Sequence, residues 1–364
     1  MPNVLCWDGD DVVLREVHAS YIQLLADRLG QELGNLHANN GESGSRAIAL
    51  LRSLPESAFE RFISAPETSC RLLWRASHTH EEVADFFLSS LTAELARAGD
   101  NVNSPARDIW TALGDFCLRP DGSTFSAPVL LGLPPLDFDS PYATDLDLSG
   151  RAATTLVPRD RLDSEEKKLA LERLRSAADG IRRISPQVHQ FVRSFTKVLI
   201  LQRDPEAPSM FASGSSGQFV GRSVLSNPQL PSVDDVDVAE GLVHEAIHSL
   251  LYMQEQQKRW VDPAFYGAEK RTHSPWTGNH LPLRPYLQAC FVWYGLVHFW
   301  AMALAEGIFP PGRVRERLVQ SMSGFLDDSF EEPLVTYGDK IADELLAAIN
   351  RIWTNIRDSV EAVT

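Results

Sequence analysis

Four cysteines in 364 residues, Cys6, Cys70, Cys117 and Cys290, stand far apart and form no CxxC or zinc-finger spacing. That excludes a disulfide framework and a cysteine-held zinc module, and it fits free thiols in a reducing compartment. Basic charge is scarce too: 34 Lys and Arg against 49 Asp and Glu leave a formal net charge of −15. Phosphate backbones are bound by clustered Lys and Arg, so nucleic acid is not an expected partner. An anionic membrane surface is disfavoured for the same reason. No stretch reads as long and apolar enough to cross a bilayer, and the first ten residues lack the basic and apolar regions of a signal peptide. A cytoplasmic location is the expectation. Ser213, Ser215 and Ser216 have no Gly-x-Ser-x-Gly setting, and no Gly-Lys-Ser/Thr follows the glycines beside them, which excludes a nucleophile elbow and a phosphate loop.

What the chain does have is His244-Glu245-Ala246-Ile247-His248, an HExxH inside a strongly helical run. Two imidazoles four residues apart on a helix project from one face, so both can reach one ion. Ser232-Val-Asp-Asp235 reads as a cap with acidic first-turn residues, which suits the free N–H groups and the dipole of a helix start. Val238, Leu242, Val243, Ala246, Ile247, Leu250 and Leu251 supply a broad apolar face, predicting a largely buried helix. A divalent metal gives two histidines and a glutamate a reason to be there.

The pattern along the chain predicts a helical N-terminal region over 1–150 and an α+β metal-binding region with C-terminal helices over 151–364. Helical spacing runs over 12–33, 46–54, 58–76 and 79–97, with a Gly/Asn/Ser-rich break from Asn39 to Ser45. Short apolar runs punctuated by Pro and Gly over 108–149 read as an extended connection with edge strands. Lys197–Gln202, Met210–Ser213 and Gln218–Leu225 are strand candidates just ahead of the HExxH helix. The fold class expected is mainly α with a small antiparallel sheet (α+β), built on a metalloprotease-like strand–HExxH helix core. Alternating βαβ units are missing, which excludes a doubly wound parallel sheet. Too few strands exist for a double-stranded β-helix.

Strand, strand and metal helix is the layout of zinc metallopeptidases. In that reading His244 and His248 bind Zn and Glu245 is the general base for a bound water. Glu269 is a candidate third ligand by its distance downstream, although Asp262–Arg271 reads as a loop and the HxxGxxH extension of metzincins is lacking.

The residues beyond the motif point elsewhere. Ser274-Pro-Trp276 is followed by Pro282-Leu-Arg-Pro-Tyr-Leu-Gln-Ala-Cys290 and by the aromatic run Phe291–Trp300. From Gln218 to Trp300 this succession resembles a family of HExxH-containing peptide-modification proteins of ribosomal peptide biosynthesis. Each piece is common; their order and spacing are specific. The resemblance implies an Fe(II)/2-oxoglutarate-dependent oxygenase that hydroxylates a side-chain β-carbon of a peptide. Its substrate would be a ribosomal precursor, with or without a leader, or an amino acid held on a carrier. Two departures stand out: Leu281 where relatives carry arginine, and Gln288 where they often carry histidine.

Such an enzyme needs protein ligands on one side of the metal and open positions for a 2-oxo acid and dioxygen. His244 and His248 supply two ligands. Gln288 is a candidate third through its carbonyl oxygen, or else an amide hydrogen-bonded in the interhelical core. His273, His280 and His298 are further candidates. The co-substrate's distal carboxylate calls for a guanidinium fork, and Arg222 and Arg284 are the candidates. Glu245 would then orient the site rather than deprotonate water. A sheet edge at Gln218–Leu225 could pair with an extended substrate.

Overall fold

The computed structural model describes residues 4–7, 12–39, 41–74, 77–144, 160–262, 265 and 271–361. The chain opens with α1 (Val12–Asn39), α2 (Gly41–Ser53), α3 (Glu56–Ser64), α4 (Pro66–Leu73) and α5 (His80–Ala98). Pro66 occupies the first turn of α4, so the single helix expected over 58–76 is divided at Ala65 into α3 and α4. The expected break from Asn39 to Ser45 is mostly helix. At Gly44 an added Cβ would lie 2.4 Å from the His37 backbone nitrogen, so this glycine lets α2 close against α1 instead of ending a helix. Thr79 and Glu82 cap α5 reciprocally, and Gly99 ends it in the left-handed conformation.

The Pro- and Gly-punctuated segment carries β1 (Ile109–Trp110), β2 (Phe116–Leu118), β3 (Thr124–Ser126) and β4 (Leu136–Asp137). The first three form an antiparallel sheet of their own. Next come α6 (Ser164–Ile184), capped by Asp163 with Glu166, and α7 (Pro186–Phe195), capped by Ser185. They lead into β5 (Val198–Gln202), β6 (Ala212–Gly214) and β7 (Arg222–Ser226).

The expected small antiparallel sheet is a mixed one. Its order is β4-β5-β7-β6; β4 and β7 both lie parallel to β5, and only β6 runs antiparallel to β7. Both β5 and β7 are buried along their whole length, the condition under which parallel pairing is found. Helix, sheet and loop otherwise follow the α+β class, with helix predominating.

Behind the sheet lies α8 (Asp235–Gln257), the HExxH helix. Asp234 is its N-cap, exchanging hydrogen bonds with Asp237, and Arg313 grips both carboxylates at 2.9 Å. After α8 come the hairpin β8 (Arg271–His273) and β9 (His280–Pro282), then α9 (Leu283–Glu306), α10 (Pro311–Leu326), α11 (Glu332–Thr336) and α12 (Asp343–Glu361). Leu242, Val243, Ala246, Ile247, Leu250 and Leu251 of α8 are all inaccessible to solvent, in a core shared with α1, α6, α7 and α9. Burying such a side chain contributes roughly 1.5–3 kcal/mol each. Gly295 of α9 admits Ile247, whose Cδ1 would lie 2.7 Å from an added Cβ.

One expectation needs correction. The window within Leu283–Glu306, at a mean hydropathy of 1.4, is long and apolar enough to cross a membrane. It is 78% buried inside the fold, where it lies against α8, α10 and α12. Its apolar character serves core packing.

Candidate metal centre

The burial pattern of α8 singles out two residues. From Gly241 to Leu250 every residue is buried except His244 and His248, which keep partial access to solvent. Their ring centres are 5.0 Å apart. Two imidazoles that each direct a nitrogen at one ion about 2.1 Å away, at a near-tetrahedral angle, have ring centres roughly 5 Å apart. The separation of the rings is compatible with a shared ion. The edge of one ring meets the face of the other between His244 and Trp293 at 6.1 Å, and His248 stacks on Tyr252 at 5.7 Å. Among the described residues the His244 ring has ring contacts and no hydrogen bond, leaving its nitrogens without a protein partner. Burial pushes its pKa down to about 4, against the pull of Glu245 and with help from His248. His244 is thus a neutral, metal-competent base at neutral pH.

His248 is held from behind. Its Nδ1 lies 2.9 Å from Gln288 Oε1, and Gln288 Nε2 donates to Glu255 Oε2 at 2.7 Å. Because a carboxylate only accepts, the amide must turn its NH2 to Glu255 and its carbonyl to His248. His248 therefore donates from Nδ1, which leaves Nε2 as the nitrogen that a metal ion can take. Metal-binding histidines are commonly oriented through their other nitrogen in this way. Arg284 closes the chain, donating from Nε (2.7 and 2.8 Å) and Nη2 (2.6 Å) to Glu255.

Glu245 is buried, and both its oxygens are engaged. Ser213 Oγ donates to Oε1 at 2.7 Å and Ser215 Oγ to Oε2 at 2.6 Å. Ser213 lies on β6 and Ser215 just beyond it, so the sheet's edge strand pins the glutamate. Gly241 makes room, since a Cβ there would stand 3.2 Å from Ser213 and from Leu225.

The other candidates scatter. Gln288 gives its carbonyl to His248 instead of meeting an ion beside it. His273 and His280 face each other across the exposed β8–β9 pair, 5.8 Å between ring centres. His298 contacts Tyr294 at 4.6 Å and lies 3.6 Å from Cys6 Sγ. Glu269 lies outside the described residues. Among the described residues no group of three His, Cys, Asp or Glu side chains is arranged to hold an ion.

Arg222 is on the wrong side of the sheet. Ser213 and Leu225 are register partners, and both meet Gly241 of α8. Side chains alternate along a strand, so Arg222 and Val224 face the opposite way. There Arg222 pairs with Glu67 of α4 and covers Phe219 at 3.9 Å. Burial lowers its pKa to about 9. Arg284, the other fork expected for a co-substrate, is near His248 but already holds Glu255. The two imidazoles are thus compatible with a metal ion, and among the described residues neither expected arginine is a ready cation for a 2-oxo acid.

Ser274-Pro-Trp276 acts as an anchor. The Trp276 indole stacks on Trp293 at 6.0 Å and donates to Ser321 O at 3.0 Å, tying the hairpin to α9 and α10 next to His244. Glu255, Tyr252, Ser213 and Ser215 were not expected as site residues. Tyr252 and Glu255 follow His248 by four and seven residues, a helical spacing that marks one face; the serines carry no comparable signal. Comparison with known proteins finds no matching family model and no matching curated protein.

Proposed function

We propose that the chain is a metal-dependent enzyme with its ion between His244 and His248, and that it is an Fe(II) oxygenase hydroxylating a peptide side chain with 2-oxoglutarate as co-substrate. The observation that carries the metal is the held His248: its Nδ1 engaged by Gln288, its ring 5.0 Å from the His244 ring, which makes no hydrogen bond among the described residues. Iron would supply the dioxygen chemistry that an unactivated C–H bond demands. The strand–helix core of β6, β7 and α8 would present the two imidazoles, with Trp293 and Tyr252 forming apolar walls that limit water.

Glu245 bears on the choice between this reading and the zinc peptidase. A general base must reach a metal-bound water with a free lone pair. Both oxygens of Glu245 accept from serine hydroxyls, which fixes the carboxylate in place; this suits an orienting role, and because each oxygen keeps a further lone pair the peptidase stays as the second reading. The weaker support is for 2-oxoglutarate, because Arg284 would have to share its fork with Glu255. An extended peptide would pair at β6, the edge strand; β7, which overlaps Gln218–Leu225 where pairing was expected, is enclosed by β5 and β6.

The test loads purified protein with Fe(II) under nitrogen, then adds 2-oxoglutarate and air, with ascorbate supplying the two electrons that a peptide C–H bond would otherwise give. Succinate release that disappears in His244→Ala supports the proposal. Fe(II) retention without succinate removes the co-substrate, and zinc retention with casein cleavage moves the protein to the second reading. Failure to retain any divalent ion removes both.

A further inference from the structure

A cavity of about 380 Å³ lies between the start of α1, the exposed end of α7 and the residue that leads into β5. It is unlike the rest of this acidic chain. Arg15, His18 and Lys197 line it, and among the described residues none of its lining groups is a carboxylate. Apolar wall comes from Leu14, Phe191 and Phe195, the two rings 4.7 Å apart.

Lys197 is the centre of the site. Its ammonium donates to Ser194 O at 2.6 Å, in the last turn of α7, and lies 2.9 Å from His18 Nε2. An ammonium only donates, so His18 accepts there and is neutral. Three N–H donors less these two leaves one more, on a residue that lines the cavity. The lysine's stem is cradled: Gly221 adopts φ +90, and a Cβ there would stand 2.6 Å from Lys197 Cγ. Burial pushes Lys197 down to about 8, partly offset by Glu60, and pushes His18 down to about 4 with help from Lys197. A positive charge held in such a place without a carboxylate in the lining is poised for an anion.

We propose that this cavity binds a small organic monocarboxylate with an apolar body, its carboxylate on Lys197 and its body against Phe191 and Phe195. Gln187 and Gln190, on the exposed side of α7, border the entrance. The volume falls in the range of small-molecule sites, at roughly 300–1,000 Å³, and the mix of apolar wall with one fixed charge is what such sites use. The site is separate from the imidazole pair and does not depend on the reading given to it.

Benzoate is the probe, titrated calorimetrically into the full chain at neutral pH, with benzamide and inorganic phosphate as comparisons. Expected is saturable binding of benzoate, with benzamide and phosphate each weaker by about tenfold or more. Lys197→Met loses about tenfold or more. Because that substitution also removes a contact to the end of α7, Gln190→Glu gives an independent check at an exposed position. It adds a like charge at the entrance and weakens benzoate by about threefold to tenfold without a change in melting temperature. His244→Ala binds benzoate as the parent does. The proposal is overturned by benzamide binding as well as benzoate, by phosphate binding better, or by both cavity variants binding benzoate unchanged. No heat at about 10 mM benzoate, enough to fill a site of millimolar affinity, overturns it too.

Discussion

His248 Nδ1 and Gln288 Oε1, on two different helices, are 2.9 Å apart, and this contact sets which nitrogen of the histidine donates and which is left for a metal ion. Gln288 is itself fixed by Glu255 at 2.7 Å. Replacing Gln288 with Leu removes the acceptor and frees the ring to turn. Metal affinity is expected to fall by about 10–100-fold, the usual cost of losing such a support. The melting temperature should change less than the affinity, because Arg284 still satisfies Glu255. Calorimetric titration of Fe(II) or Zn(II) into parent and variant measures it; equal affinities would leave Gln288 as core packing only.

Arg222 and Glu67 make the opposite case. Their ion pair is buried on the sheet face away from α8. Arg222→Met strands a carboxylate, which costs about 3–5 kcal/mol when no other partner exists. Arg71 also grips Glu67, at 2.5 Å, so the loss should fall below that range. Denaturant unfolding measures the stability, and metal titration should give the parental affinity. A variant that keeps its stability but loses 2-oxoglutarate-dependent succinate release would restore Arg222 to the co-substrate site.

The sequence shows the helices well where caps and periodicity agree. Asp163 or Ser164 and the pair Ser185-Pro186 mark the starts of α6 and α7, with Asp163 the cap in the fold, and the apolar face of α8 is readable from Val238 to Leu251. The sheet is less legible, because pairing direction is a long-range choice. β5 and β7 look like any short apolar run, and nothing local says that β4, far upstream, lies parallel to β5. The same holds for the site. The imidazole pair follows from spacing within one helix, whereas the partners of Glu245 come from a neighbouring strand. Arg222 misleads for a related reason: its strand is adjacent to α8, but alternation turns its side chain to the other face.

Asp137 at the end of β4 is buried, and burial pushes its carboxyl up to about 7 although Ser140 donates from both its hydroxyl and its backbone nitrogen. The folded chain therefore holds this proton more tightly than the unfolded chain, whose carboxyl titrates near 3.8. Its contribution to stability is fully present at pH below about 3.8 and is lost as pH rises through about 7. Asp137→Asn keeps an acceptor for the Ser140 nitrogen and a donor for its hydroxyl, and it cannot ionise. Its stability advantage over the parent should grow between pH 5 and pH 8 to on the order of a few kcal/mol, since a tenfold difference in proton affinity between folded and unfolded chain is worth about 1.4 kcal/mol. Melting curves across that range check it, and parallel curves for the two proteins would contradict the assignment.

Ser213 and Ser215 give the sharpest contrast between the two chemistries. They hold Glu245 at 2.7 and 2.6 Å, and a hydrogen bond to a charged group is worth about 1.5–3 kcal/mol. The double variant Ser213→Ala, Ser215→Ala therefore loses stability by about that amount or somewhat more, with water replacing part of the loss. In an oxygenase whose glutamate only orients, unpinning it lowers succinate release and raises nothing. In a peptidase the serine hydroxyls compete with a metal-bound water for the lone pairs of Glu245, so removing them speeds casein cleavage by the zinc-loaded protein. Succinate release and casein cleavage measured on the same pair of proteins separate the outcomes, because the two readings predict opposite signs.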